Sequence, residues 1–528
     1  MYYSKEIVHA CLICFILNIK FSYGLRIVGL FPVNVKSHFV MCEELMRALA
    51  NKGHHVDVYS HFPLKSPIKN YYDYSLEGSI PSLLNNISFA SITKMHDHEV
   101  SMKYWFKRDQ ERLCDLIGSP LFQKLLRSPP LDPAYDLLIT ELSIVHCYIP
   151  FGPHLDIPVI GIVTTPLCDY QYDGFGATKN LAVQRSMFSA YSESMLFFER
   201  VENYLNYHRA IRNYNDYTRP QEKYIRKYFG EGYPGIINLP RHVSLVLINH
   251  DISIDGIESF APKVIPVGGL HIVDHNESLP KAVQSWLDES TDGCIYFSFG
   301  SMIRIETFPR HILNAFYKSF ENVKPVRVLL KITKPEELPP GLPSNVLTRP
   351  WFQQIAVLKH RNVKAFVTHG GLMGTQEAIY YGIPMVGVPM LGDQSLNIKK
   401  YVAKGVATTV GFQDITEQTF TCAIKQVLKN PLYRQSLQRL SKQFRDRPMP
   451  PLETAIYWIE YIHRHGKNAL KSSIEDMPWW QASLLDVYAF IAGSFLIALY
   501  IFIKLFQMLR NLCSKKLDIK SSTNKKDN

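Results

Sequence analysis

The feature that most restricts the fold is a strand, a helix and a second strand in close succession, an arrangement that the chain uses twice. The run 25–31 (LRIVGLF) is apolar, a loop through His38 follows, and residues 41–51 read as a helix before a second strand at 56–60. Elements of that length form a βαβ unit with parallel strands and a right-handed crossover. Further strands are expected at 136–140 and 159–164, and the aromatic, charged stretch 191–228 reads as helices. The pattern restarts after the Pro/Gly-containing segment 262–271, which opens a linker taken as 262–285. Strands are then expected at 294–299, 327–332, 363–368 and 385–388, with helices at 375–381 and 416–428 among them. The predicted fold is α/β: two doubly wound, Rossmann-like domains, 25–261 and 286–447, with a ligand cleft between their sheet edges. A chain of 528 residues exceeds one compact core and has room for both. Within 448–483, the segment 453–463 carries Ile456, Ile459 and Ile462 at helical spacing and is expected to pack back across the body of the protein.

Both ends carry topological information. A short start with one lysine precedes an apolar run at 7–19 and small residues at Ser22 and Gly24, the layout of a cleavable secretory signal over 1–24. The run is short for a bilayer, which takes roughly 20 apolar residues. Residues 484–506 do meet that length; Trp479 and Trp480 precede them and a basic tail, 507–528, follows. That flank predicts a single transmembrane helix, a cytosolic tail and a lumenal body. Much of the formal charge of +11 sits in this tail, and no basic stripe is interleaved with aromatics, so nucleic acid is discounted as a partner. The lumenal cysteines Cys42, Cys114, Cys147, Cys168, Cys294 and Cys422 show no metal-ligand spacing, and their pairing stays open. Asn86 (Asn-Ile-Ser) and Asn276 (Asn-Glu-Ser) are glycosylation sequons for that compartment. The last residues, Lys525-Lys526-Asp527-Asn528, resemble a dilysine signal for retention in the endoplasmic reticulum.

The most informative stretch runs from Trp351 to Gln394: WFQQ, an apolar strand, then THGGLMGTQEAIYYGIPMVGVPMLGDQ. A strand ends at Thr368, and His369-Gly370-Gly371 turns into a helix. Glycines there let backbone N–H groups approach a ligand, and a helix N-terminus suits a diphosphate. His369 is placed to donate to a phosphate oxygen, and Glu377, farther along the helix, to accept from ribose hydroxyls. Asp393-Gln394 is a polar pair able to hold sugar hydroxyls. HGG alone is as compatible with an ordinary strand–turn–helix.

As an ordered run, however, these residues resemble the signature of the UDP-glycosyltransferases of glycosyltransferase family 1, which include the UDP-glucuronosyltransferases. The resemblance spans essentially the whole chain and implies a GT-B type fold and a UDP-sugar as co-substrate. It implies that Trp351 stacks on uracil, Gln354 contacts base or ribose, His369 and Gly371 meet the diphosphate, Glu377 the ribose, and Asp393 with Gln394 the donor sugar. Gly300-Ser301, in SFGS, looks like the family's second phosphate loop. Two departures stand out: Gln353 replaces a usual proline, and Leu372-Met373 replaces the Thr-Asn usual after HGG in vertebrate glucuronosyltransferases. The HGGLxxTxE wording is similar to invertebrate members that mostly use UDP-glucose.

Transfer needs a base to take the acceptor proton, and a histidine held by a carboxylate is a suitable device. His38, in a Ser37-His38 context after the first strand, resembles the family's catalytic histidine. The family's partner aspartate falls on Glu141, which keeps the charge and extends the reach by a methylene. Asp136 reads as a structural strand-start residue. The expected reaction is inverting single displacement onto small lipophilic acceptors that partition into the bilayer, with no cofactor and no metal. Two other readings stay open: a UDP-sugar-binding pseudoenzyme, and a transferase dedicated to one membrane lipid. An oligomer with itself or related transferases is also compatible with the resemblance.

Overall fold

The structure, a computed structural model, describes residues 24–95, 103, 109–177, 179–186 and 194–523, with side chains through 515. Residues 1–23 of the expected signal and the terminal motif 525–528 lie outside them. The first sheet comprises β1 (Arg26–Phe31), β2 (His55–Ser60), β3 (Tyr71–Ser75), β4 (Leu137–Glu141), β5 (Val159–Val163), β6 (Leu245–Ile248) and β7 (Val264–Pro266). They pair in parallel as a 7-stranded sheet ordered β3-β2-β1-β4-β5-β6-β7. Helix α1 (Lys36–Asn51) buries Phe39, Cys42, Leu45, Met46 and Leu49, a stripe at helical spacing, against this sheet. Helix α2 (Phe197–Thr218) occupies part of the stretch expected to be helical.

The second sheet is 6-stranded, parallel, and ordered β10-β9-β8-β11-β12-β13. Its strands are β8 (Cys294–Ser298), β9 (Arg327–Lys331), β10 (Val346–Arg349), β11 (Val363–Thr368), β12 (Met385–Gly387) and β13 (Ala407–Thr409). The helices that matter here are α3 (Arg310–Glu321), α4 (Gln354–Lys359), α5 (Leu372–Tyr381), α6 (Gln394–Ala403), α7 (Glu417–Lys429) and α8 (Pro431–Arg445). Strands β4, β5, β8 and β12 are buried throughout, as parallel strands covered by helices on both faces must be.

Several expectations shift. Helix α1 begins at Lys36, so His38 lies in its first turn and not in a loop. Strand β4 runs one residue later than expected and carries Glu141 as its last residue. The first sheet extends to Pro266, inside the segment 262–285 read as linker. The stretch around residue 87, expected within the first domain, is attached to the second: Ile87 bridges Ile303, and Ile87, Ile92 and Met95 are buried in one cluster with Phe297, Phe299 and Phe308. Cys114 and Cys147 form a disulfide.

After α8 the chain returns. Helix α9 (Pro451–His465) inserts Ala455, Ile456, Ile459 and Ile462 into the core shared by β1 and α1, as its spacing predicts. Described residues up to Lys471 form one compact unit, and a second begins at Ser472. The latter contains α10 (Leu485–Thr523), of which Leu485–Lys515 is long and apolar enough to cross a membrane. The helix continues through the basic residues expected as a separate tail.

Candidate active site

In open α/β sheets ligands bind beyond the carboxyl ends of the strands, where the strand order reverses. That point falls between β1 and β4 in the first sheet and between β8 and β11 in the second. The residues at or just after these strand ends are His38, Glu141, Ser301 and His369. His38, Ser301 and His369 line one cavity of about 360 Å³, together with Trp351, Gln354, Gly371, Glu377, Asp393 and Gln394. The structure thus brings every donor-site residue expected from sequence to one cleft, with His38 on its other wall.

Glu141 stands directly behind His38. Its Oε1 lies 2.6 Å from His38 Nδ1, and the same oxygen accepts from Thr164 Oγ1 at 2.7 Å and Ser143 Oγ at 2.8 Å. The extra methylene of glutamate therefore reaches the imidazole, while the hydroxyls fix the carboxylate that would otherwise swing. With Nδ1–H donating to Glu141, Nε2 keeps its lone pair, an assignment that follows from the hydrogen bond. Burial disfavours the imidazolium, but the charge and hydrogen bond of Glu141, aided by Asp393, outweigh it and raise the His38 pKa above 6.5. Burial pushes the Glu141 carboxyl up, and His38, Thr164 and Ser143 together bring it below its ordinary value. Asp136, by contrast, is engaged by the Arg26 backbone N–H at 2.8 Å, in keeping with a strand-start role.

The other wall is built around a histidine with no acceptor. His369 Nδ1 is buried and has no hydrogen-bond partner among the described residues. Burial, with Lys331 nearby, pushes its pKa down to about 4, so the ring is neutral at physiological pH and has one N–H to give. Two glycines make room for it. A Cβ on Gly300, whose φ is +79°, would lie 2.6 Å from the imidazole, and one on Gly371 would lie 2.7 Å from it. Gly371 is also the N-cap of α5, so the free N–H groups of that helix open beside His369.

Trp351 is half exposed at the cleft and presents its ring there. Gln354 is oriented from both sides: Tyr296 OH donates to its Oε1 at 3.1 Å, and its Nε2 donates to Glu377 Oε2 at 2.8 Å. Glu377 Oε1 is 3.5 Å from His271 Nε2, a linker residue. Asp393 Oδ2 accepts from Asn397 Nδ2 at 2.7 Å, and Asn397 also donates to the Gly370 carbonyl, coupling this acid to the glycine turn. Gln394 spends its carbonyl oxygen on the N–H groups of Met390 and Leu391, both at 2.9 Å, which leaves its amide N–H groups for a ligand. Both sequon asparagines, Asn86 and Asn276, are exposed.

Sequence reasoning missed Lys331, Thr164, Asn397 and His271. Lys331 ends β9, is 6% exposed, and places Nζ 5.6 Å from the Trp351 ring centroid. Burial lowers its pKa to about 8, against the pull of Glu306. A lysine closing a strand such as VLLK gives a signal only if strand ends are scanned for charge that a buried position would not otherwise tolerate. Met373, one of the departures, serves the domain contact: its carbonyl faces His271 Nε2 at 3.2 Å and its sulfur lies 3.5 Å from Asn249 Nδ2.

Comparison with known proteins agrees with this geometry. The model of the family described as "UDP-glucoronosyl and UDP-glucosyl transferase" matches residues 34–520. A UDP-glycosyltransferase, UGT5, of Dactylopius coccus is 35% identical over 94% of this chain and 94% of its own. UDP-glucosyltransferase 2 of the same insect is 33% identical over 90% of this chain and 91% of its own. The solved structure of the glycotransferase of kitacinnamycin superimposes with a TM-score of 0.55 at 18% identity, covering 83% of this chain and 98% of that one, which speaks to the fold alone. Two parallel sheets flanked by helices and facing one cleft define a GT-B glycosyltransferase. The chain belongs to the UDP-glucuronosyl and UDP-glucosyl transferase family and is a UDP-hexosyltransferase.

Proposed function

We propose that this enzyme transfers a hexosyl group, glucose in preference to glucuronic acid, from a UDP-sugar to the hydroxyl of a small lipophilic acceptor, with inversion. The observation that carries the reading is the His38–Glu141 contact of 2.6 Å, set across the cleft from His369, whose Nδ1 has no hydrogen-bond partner among the described residues. His38 Nε2 takes the acceptor proton as its oxygen attacks the anomeric carbon, and Glu141 stabilises the imidazolium that forms. The bond from that carbon to the UDP oxygen breaks, and the departing diphosphate charge is met by His369, Lys331, Ser301 and the N–H groups opening α5. No metal ion takes part in the proposed step. Trp351 stacks on the base, Gln354 and Glu377 hold the ribose side, and Asp393 with Gln394 orient the sugar. The preference for glucose rests on the Leu372-Met373 wording after HGG and on the name of the insect UDP-glucosyltransferase relative.

The apolar segment of α10 supports a membrane-anchored enzyme. We place the catalytic unit in the lumen of the endoplasmic reticulum, where lipophilic acceptors collect in the bilayer and Asn86 and Asn276 are open to glycosylation. Microsomes expressing the chain, offered UDP-glucose or UDP-glucuronic acid with a panel of phenols, test the assignment. Glucoside formation that His38→Ala abolishes supports it. Glucuronide formation instead overturns the donor choice. UDP binding without turnover on either donor identifies a pseudoenzyme.

A further inference from the structure

The donor half of the cleft is not built by the second domain alone. Residues 85–95 precede the second sheet by some two hundred positions in sequence, yet 85–87 run along the loop 301–304 that follows β8. The Asn85 N–H donates to the Ser301 carbonyl at 2.8 Å, the Ile87 N–H to Met302 at 2.9 Å, and the Arg304 N–H back to Ile87 at 2.9 Å. Ile87, Ile92 and Met95 anchor the segment in the second domain's core, so its position is set by burial as well as by hydrogen bonds. At its start Asn85 adopts a left-handed φ of 51°, which turns its side chain toward the end of β9. There its Oδ1 accepts from Lys331 Nζ at 2.7 Å.

Lys331 makes no ion pair with a carboxylate among the described residues. A buried ammonium in that condition is costly unless a ligand supplies the counter-charge. A long lysine side chain also has rotamers to lose, and a single fixed acceptor decides which one is populated. Asn85 is not itself part of the cavity wall; it stands behind a residue that is.

We propose that Asn85 is a positioning residue for donor binding: it holds the Lys331 ammonium toward the cleft, so that a segment lent by the first domain completes the UDP-sugar site. This rests on the reading of the cleft as that site. A neutral amide suits the task, because it fixes the ammonium without consuming the charge that the diphosphate needs.

The test is a double-mutant cycle in the full-length membrane-bound enzyme, with KM for UDP-glucose and kcat measured separately. Asn85→Gly keeps the left-handed backbone and the N–H to Ser301 and removes only the acceptor. It is expected to raise KM about tenfold, the effect of losing a hydrogen bond to a charged group, with kcat within about twofold of wild type. Lys331→Met is expected to raise KM further, and the Asn85→Gly/Lys331→Met double variant to match Lys331→Met alone, since Asn85 acts only through Lys331. Asn85→Asp retains the shape and pairs the ammonium, so KM rises while the melting temperature does not fall. A merely structural role predicts KM changes that multiply in the double variant and a KM in Asn85→Asp that stays at wild type; either result overturns the proposal. A wild-type KM in Asn85→Gly, with Lys331→Met impaired, does the same. If Lys331→Met also binds UDP-glucose normally, the placement of the donor in this cleft fails with it.

Discussion

The two walls of the cleft are finished to different degrees. On the first-domain wall every polar group around the base is satisfied: His38 meets Glu141, and Glu141 is held by Thr164 and Ser143. On the second-domain wall, among the described residues, His369 Nδ1 is buried without a hydrogen-bond partner and the buried Lys331 ammonium, hydrogen-bonded to the Asn85 amide, makes no ion pair. An unsatisfied buried group costs about 1–3 kcal/mol, so on the proposed reading this donor wall stores a demand that the diphosphate would relieve. The acceptor wall stores orientation, which catalysis uses without rearrangement. This contrast indicates that donor affinity and proton transfer are separable by mutation.

The sharpest way to break the contrast is His38→Ala, expected to reduce product formation about a thousandfold while leaving UDP affinity, measured by calorimetry, within about twofold of wild type. Loss of both would mean that the walls are not independent. Next comes Glu141→Gln, expected to lower kcat about a hundredfold through loss of imidazolium stabilisation. Its pH profile carries the sign. With the neutral imidazole as the proposed base, and Glu141 raising its pKa above 6.5, wild-type activity is expected to be lost as pH falls through that raised value. Without the carboxylate, burial is opposed only by the weaker pull of Asp393 and the acid limb moves to lower pH; an unmoved limb would assign it to another group.

On the donor wall, Gly300→Ala strains a left-handed position and drives a methyl into His369. A KM for UDP-sugar about tenfold higher, with the pH limb unchanged, is expected from about 1–2 kcal/mol of backbone strain passed to the ring. The smallest effect is that of Gln353→Pro. Gln353 already has φ −69°, which proline favours, so the change is expected to add about 0.5 kcal/mol of stability, seen as a slightly higher melting temperature, with KM unaltered.

How much of this was readable from the sequence follows the same division. The donor wall is largely local: Thr368 through Gln394 form one strand–turn–helix–strand–helix run, and their spacing is their structure. His38 and Glu141 follow or end strands that the apolar pattern predicts, and the parallel register brings Leu30 beside Thr140, which places them together. What escaped is tertiary. Thr164, Asn397 and His271 are ordinary polar residues until the fold sets them beside a carboxylate or a glycine turn. Asn85 belongs to a segment without strand alternation, and its attachment to the second domain is fixed only by contacts distant in sequence. The short strands β3, β6, β7, β10 and β13 escaped because runs of three to five residues carry little periodic signal. The disulfide pairing of Cys114 with Cys147 was beyond spacing arguments for a similar reason.

The path of the chain has a bearing on engineering. Because Ala455, Ile456, Ile459 and Ile462 of α9 are buried in the core with α1, and Ile87, Ile92 and Met95 in the second core, neither domain is a continuous stretch of sequence. A hybrid enzyme that borrows its donor half from a relative by one cut in the linker would split two cores at once. Grafts that move 267–446 together with the matching 82–95 piece, and leave 451–471 with the host, respect the seams along which this protein comes apart.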